Sequence, residues 1–373
     1  MVAGSFYCHD HLSLKHFSVC HHYQRTESIV FYKGRHFSKF SGMKFAFRLL
    51  FLYIYVAWLY WLPEGKRENK VALNQHGAAA EVIWCEEGSY VLNRCEERCE
   101  CQNGKPIKCF RVRKEFTKMD IMERKRYIYA YKTASVNPYF KLDYERLVAL
   151  HINAPDQLLH HTPFIFLPWH RWFLVKFENL LRRIDCRVTV PYWNWSRVAN
   201  YWWRSAGYTD IWNSGEHGLG GDGNHYDHCV EDGPFSKDKW HLLDVSGGGC
   251  LQRKFSRISF TGNAQHVKRT LALPLNDFLL FENTVRENYH SDVHDFIGGT
   301  MWSSSSSSNA PEVMFHHSFL DKIWLEWQKK GEDYKNVFYR TLPNYTMPGS
   351  NYFAWQWTDS SNLPGQVQVL YEE

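Results

Sequence analysis

The 373-residue chain has no internal repeat, no CxxC pair, no concentrated basic stretch and no uninterrupted apolar run of membrane-spanning length. Each absence narrows the field. A formal charge of +5 spread along this length leaves no footprint for nucleic acid, which needs a basic face. Without CxxC, the cysteines do not read as a zinc knuckle. Without a repeat, the bulk of the chain reads as one large domain plus a small module. What the sequence does have is aromatic mass, with 16 Trp, 22 Tyr and 25 Phe. Such side chains bury large areas and build rigid, dry walls, so extended disorder is excluded for most of the chain.

The longest apolar run, Leu49 to Leu62, is too short for a span of about twenty residues. Lys44 and Arg48 precede it and a polar stretch follows, the pattern of a secretory signal peptide. Residues 43–62 are therefore expected to be a signal peptide with translation starting at Met43. If uncleaved, 45–62 would anchor the chain to a membrane. Residues 1–42 are read as a non-native or disordered extension.

Ten cysteines are present, five of them (Cys85, Cys95, Cys99, Cys101, Cys109) crowded into residues 85–109. That density suits a small disulfide-stapled module made in an oxidising compartment, and so a secreted or secretory-lumen protein. Cys186, Cys229 and Cys250 bring the number to eight, so at least one bridge is expected to tie the module to the main domain, residues 110–373. Connectivity is not fixed by spacing.

From Phe116 the pattern turns helical. Thr117 and Asp120 are candidate caps for the run that follows, a second piece surrounds Asp143 to Leu150, and a third spans Trp169 to Ile184. In the third, Phe173, Phe177, Leu180, Leu181 and Ile184 form the apolar stripe, with Glu178, Arg182 and Arg183 read as its polar face. Residues 205–250, rich in Gly, Asp, His and Ser, read as a long irregular excursion of the kind that lines sites. Helix returns at Leu275–Glu282, Tyr289–Ile297 and His317–Lys330, with Ser303–Ser308 as a flexible connector. The fold class expected is mainly α: a helical bundle with long loops and the cysteine-rich module at its amino-terminal side.

Within this frame the histidines carry chemistry. His151 ends one helical piece, His161 follows a loop, and His170 opens the next helix. His290 and His294 are four apart and share a helix face, and His317 opens a further helix. Six imidazoles near helix positions can converge inside a bundle, where such folds place metals. An all-imidazole donor set suits zinc, copper, iron or nickel, with affinity peaking at copper. The zinc-protease pattern needs Glu directly after the first histidine of the HxxxH pair, and Ser291 stands there. Two histidines alone would be weak evidence, but burying three more unpaired in aromatic sequence would be costly.

The segment His161-Thr-Pro-Phe-Ile-Phe-Leu-Pro-Trp-His170-Arg171 resembles the first copper motif of the tyrosinase family. The stretch from His290 through Gly298-Gly299-Thr300-Met301 to His316-His317-Ser-Phe-Leu-Asp321-Lys-Ile-Trp324 resembles the second. Pro191-Tyr192-Trp193-Asn194-Trp195 is similar to the segment after the first motif, with Asn194 where Asp is usual. Arg113-Lys114-Glu115 resembles the entry to the animal secreted form. The resemblance covers the chain from about Cys85 onward.

It implies a helical bundle around a pair of coppers, with His151, His161 and His170 holding one and His290, His294 and His317 the other. His160 and His316 would be neighbours, Asp321 would orient a ligand imidazole, and Phe177 and Glu178 would be core and helix support. Glu282, eight residues before His290, matches the acidic residue that orients a water to deprotonate a phenol, and a structural ion pair is its alternative reading. The activity implied is oxidation of catechols, with monophenols such as tyrosine in question, to ortho-quinones by dioxygen, feeding pigment or matrix cross-linking. Leu159 stands where some members carry a cysteine linked to the second ligand, so no thioether is expected. Ser291 stands where many hydroxylating members have Asn, which puts monophenol hydroxylation in doubt. A haemocyanin-like oxygen carrier and an inactive extracellular matrix protein are the rival readings. Asn194 and Asn344 fit the glycosylation pattern, Asn344 being the better acceptor.

Overall fold

The computed structural model describes residues 85–154, 162–205, 207, 210–337 and 346–372. The extension, the signal or anchor run, His161 and Asn344 lie outside the described residues. No helix among the described residues is long and apolar enough to cross a membrane.

The described chain opens in strands. β1 (Tyr90–Leu92), β2 (Arg98–Gln102) and β3 (Lys105–Arg113) form an antiparallel meander. Asn103 and Gly104 join β2 to β3 with φ of 53° and 72°, the two left-handed positions of a tight hairpin that Asn-Gly supplies at least strain. A fourth strand from the far end of the chain, β4 (Val369–Tyr371), adds parallel to β3. The helical reading of the sequence did not include this sheet; Asn103-Gly104 between alternating residues was its local signal. Bridges Cys85–Cys101 and Cys99–Cys109 close the hairpin region, and Cys95–Cys186 ties it to the helical part, in line with the expected bridge between them. Cys229–Cys250 staples the irregular excursion.

Helix α1 (Ile121–Val136) starts at Asp120, whose carboxylate accepts from the Glu123 N–H while Glu123 reaches back to the Asp120 N–H. It ends at Asn137, which also caps α2 (Pro138–Ile152) with Pro138 in the first turn. Helix α3 spans Phe166–Arg182. Its Glu178 is fully buried, which suits its reading as core and helix support and not that of a polar face; Lys176 and Asn179 are exposed there. After the short α4 (Ala264–Ala272), the two expected pieces at 275–297 are one continuous helical run. α5 (Phe278–Asn283) passes through a π-helical stretch, Thr284–His290, into α6 (Ser291–Ile297). Helix α7 runs Pro311–Gln328, so His317 lies in mid-helix and does not open it. Nearly all of α7 is buried, which marks it as the central helix. The short α8 (Glu332–Asn336) follows.

Buried ions bolt these layers together. Arg113 on β3 donates to Glu178 on α3 at 2.8 Å and to the Tyr371 hydroxyl on β4 at 2.8 Å. The Tyr371 hydroxyl donates to Asp321 on α7 at 2.5 Å, and Arg171 on α3 donates to the other Asp321 oxygen at 2.6 Å. The irregular excursion is anchored likewise. Arg253 forks onto Glu312 of α7 at 2.8 and 3.0 Å, and its third nitrogen donates to the carbonyls of Leu219, Gly220 and Gly221. The serine run is no loose connector either. Ser307 and Ser308 are buried, Ser306 donates to the Thr300 carbonyl and Ser308 to the Val148 carbonyl.

Candidate metal centre

Four helical segments deliver histidines to one buried place. His151 comes from the last turn of α2, His170 from α3, His290 and His294 from the end of the π stretch and α6, and His316 and His317 from α7. All six are buried. The His170 and His317 rings stack at 4.1 Å between centroids, and His151 lies 6.0 Å from His170. His290 is 4.5 Å from His294 and 5.1 Å from His317. Phe166 packs on His170, His290 and His317 together, so one aromatic wall serves both sets.

Backbone carbonyls fix two of the rings. His170 Nδ1 lies 2.8 Å from the Phe166 carbonyl and His294 Nδ1 lies 2.7 Å from the Met301 carbonyl. A carbonyl only accepts, so each Nδ1 carries the proton and each Nε2 keeps a lone pair directed inward. Gly298 and Gly299, at φ 64° and 57°, make the turn that carries the Met301 carbonyl to His294.

His290, His294, His316 and His317 each place a ring nitrogen within 4.8 Å of the others. His294 Nε2 and His317 Nε2 face one another at 3.5 Å. Two imidazole nitrogens about 2.0–2.1 Å from a common ion lie about 3.3–3.5 Å apart, so the donor set fits a nitrogen-liganded metal. Burial, then the surrounding imidazoles, hold His317 well below the usual histidine range. Burial, then His294, do the same to His316, against a pull from the His290 carbonyl. Neutral rings are what a metal requires. His317 stands between the two histidine sets, whereas His316 packs against Trp195, His290 and His294 on the far side.

Two carboxylates singled out in the sequence lie in different surroundings. Asp321 does not orient an imidazole: its oxygens are taken by Arg171, Arg113 and Tyr371. It holds α3 to α7, one residue from His170 on the α3 side. Glu282 is buried, with Oε1 accepting from Arg286 Nε at 2.8 Å. Eight residues at about 100° each would carry Glu282 roughly 80° past the face of His290 on an α-helix. The wider π turns rotate less per residue and bring the two back toward one face. The sequence carries no signal of that π stretch. Ser291 is half-buried beside His290.

Comparison with known proteins agrees with this geometry. A family model described as the common central domain of tyrosinase matches residues 141–330. The tyrosinase of Streptomyces antibioticus is 35% identical over 186 residues, which is 46% of this chain and 64% of that protein. The aligned stretch thus spans just under two thirds of that relative. Among solved structures, a polyphenol oxidase variant from Thermothelomyces thermophila superposes with a TM-score of 0.53 at 20% identity, covering 75% of this chain and 92% of that one. Deoxygenated haemocyanin from Rapana thomasiana gives 0.50 at 19% identity, covering 70% and 69%. These two likenesses concern the fold. The chain belongs to the tyrosinase family of type-3 copper proteins.

Proposed function

We propose that the protein is a secreted copper-dependent phenol oxidase that converts catechols to ortho-quinones with dioxygen. The observation that carries the reading is the convergence of buried imidazoles from four helical segments, two of them fixed by backbone carbonyls, with His294 and His317 nitrogens 3.5 Å apart and His170 stacked on His317. In this reading His151, His161 and His170 hold one copper and His290, His294 and His317 the other. The pair supplies the electron transfer to dioxygen that no side chain can perform. Each catechol gives up two electrons and two protons, and one dioxygen takes four of each to become two waters.

The chain's own residues do the rest. Phe166 and the aromatic shell exclude water and hold the rings, His290 edge to face and His170 at a tilt. The carbonyls of Phe166 and Met301 fix which imidazole nitrogen stays available. Glu282 accepts the phenol proton; burial pushes its carboxyl up, toward a value suited to receiving one, while Arg286 opposes the rise. Ser291 lacks the carboxamide found in many hydroxylating relatives, so catechols are the preferred substrates over monophenols. The four disulfides among the described residues support passage through an oxidising compartment, with the cysteine-rich strands as a module on the catalytic domain. Pigment or cross-linked matrix would be the extracellular product.

Oxygen uptake by the copper-loaded protein with L-DOPA, then with L-tyrosine, tests this. Uptake with L-DOPA, abolished in His294→Ala together with loss of about one copper per chain, is the expected result. Uptake with both substrates would show that Ser291 does not block hydroxylation. No uptake at two coppers per chain would favour the oxygen-carrier or inactive-matrix reading.

A further inference from the structure

Glu282 and Arg286 form a buried pair one turn apart, both within a few per cent of full burial. An ion pair at that depth adds little stability over two apolar side chains, because desolvating both charges consumes most of their attraction. Its geometry is also lopsided. Oε1 is held by Arg286 Nε at 2.8 Å, while Oε2, equally buried, has no hydrogen-bond partner. A purely structural clamp would engage both oxygens, as Arg253 does with Glu312 elsewhere in this fold. Arg286 is itself steadied by Glu287 and by Asn283 Oδ1 at 3.4 Å.

We propose that Arg286 is a positioning residue for proton transfer: by binding Oε1 it keeps Glu282 charged and leaves Oε2 as the atom that takes the phenol proton. This rests on the reading of Glu282 as proton acceptor. In the step, the phenol O–H bond breaks, its electron pair stays on the phenol oxygen, and the proton forms a bond to Oε2. Glu282, now a neutral acid, recovers its charge when that proton passes on to the reduced oxygen and leaves as water.

The surroundings make Arg286 the deciding charge. Phe281 and Phe278, flanking Glu282 on α5, pack on Trp327 of α7, and Phe164 packs on Phe278. Lys330 lies against the Trp327 ring at 5.7 Å from its centroid. The charges acting on Glu282 are Arg286, which favours ionisation, and Glu287, which opposes it. Glu282 lies at the end of α5 and Arg286 in the π stretch that follows it, so the same irregularity sets the geometry of the pair.

The test compares wild type, Arg286→Lys, Arg286→Met and Glu282→Gln as full, copper-loaded chains oxidising L-DOPA across pH, with copper content and melting temperature measured on each. A second readout follows the carboxylic-acid band of Glu282 by infrared titration of the copper-free proteins, identified by its absence in Glu282→Gln. Loss of a cation at contact raises a carboxyl by about one to three pH units. In Arg286→Met the acid limb of kcat, and the infrared midpoint, should therefore move up by at least about one pH unit, a tenfold loss at fixed pH on that limb. Arg286→Lys should recover most of it, and KM and copper content should hold. An unchanged limb in Arg286→Met, with the limb absent in Glu282→Gln, overturns the role of Arg286 and leaves Glu282 standing. An unchanged profile in Glu282→Gln overturns the Glu282 reading itself. If Arg286→Met does not fold, Arg286→Gln, which also removes the cation, takes its place: its infrared midpoint should rise by about one pH unit relative to wild type and Arg286→Lys, and no movement rejects the proposal.

Discussion

At the scale of single residues, the site depends on atoms that carry no metal-binding chemistry. The Met301 carbonyl sets the His294 tautomer, and the turn delivering it passes through Gly299. A Cβ on Gly299 would lie 2.3 Å from the Gln252 carbonyl oxygen, a backbone atom that cannot swing aside, at a φ of 57° that side chains avoid. Gly299→Ala should cost at least about 1–3 kcal/mol and should lower copper retention as His294 loses its carbonyl. A thermal melt paired with metal analysis checks both; a wild-type melt would show that the loop relaxes freely. If Glu282 is the proton acceptor proposed above, it gives the pH dependence of activity its sign. A base with a raised carboxyl value is ionised only above that value, so L-DOPA oxidation should fall as pH drops through a midpoint above the ordinary 4.5 of glutamate.

At the scale of elements, two helices and two strands are held in register by charge. Asp321 receives Arg171, Arg113 and Tyr371, and Glu178 receives Arg113, Arg111 and the Val190 N–H. Removing one partner leaves others charged and buried, so Asp321→Asn should destabilise by about 3–5 kcal/mol, read by urea unfolding. Its copper loading should fall too, since Arg171 adjoins His170. Burial raises the Glu178 carboxyl, but Arg113, Arg111 and the Val190 N–H outweigh it and the net direction is down. A depressed carboxyl contributes stability that is present above its ordinary value near 4.5 and is lost as pH falls through the lower folded value. Glu178→Gln should flatten the acid side of the stability–pH curve, and an unaltered acid side would remove Glu178 from its cause.

At the scale of the whole molecule, the strands of the cysteine-rich segment and the helical part are covalently and electrostatically one body. Cys95–Cys186 closes a separation of 91 residues, and β4 returns from the far end of the chain to pair with β3. Replacing Cys95 and Cys186 by serine should cost about 2–4 kcal/mol and make the protein's melting temperature insensitive to that bridge's reduction. Equal melting of the variant and the parent under oxidising conditions would mean the ionic bolts alone suffice.

The main helices, the cap at Asp120 and the histidine pattern were legible in sequence, because each is a local consequence of periodicity or turn chemistry. So was the family resemblance, because its motifs are short segments in which ligand spacing is fixed by one helix at a time. What sequence could not supply depends on groups far apart along the chain. The burial of Glu178 and Asp321 is decided by Arg113 and Arg171, and the sheet by a strand some 260 residues away from its partner. The π stretch from Thr284 to His290 leaves no mark in residue type, since a widened turn is stabilised by what packs around it. Residue identity thus determined which side chains could bind metal and roughly on which helices. Only the tertiary packing decided which nitrogens face one another, because those distances are set by contacts between segments.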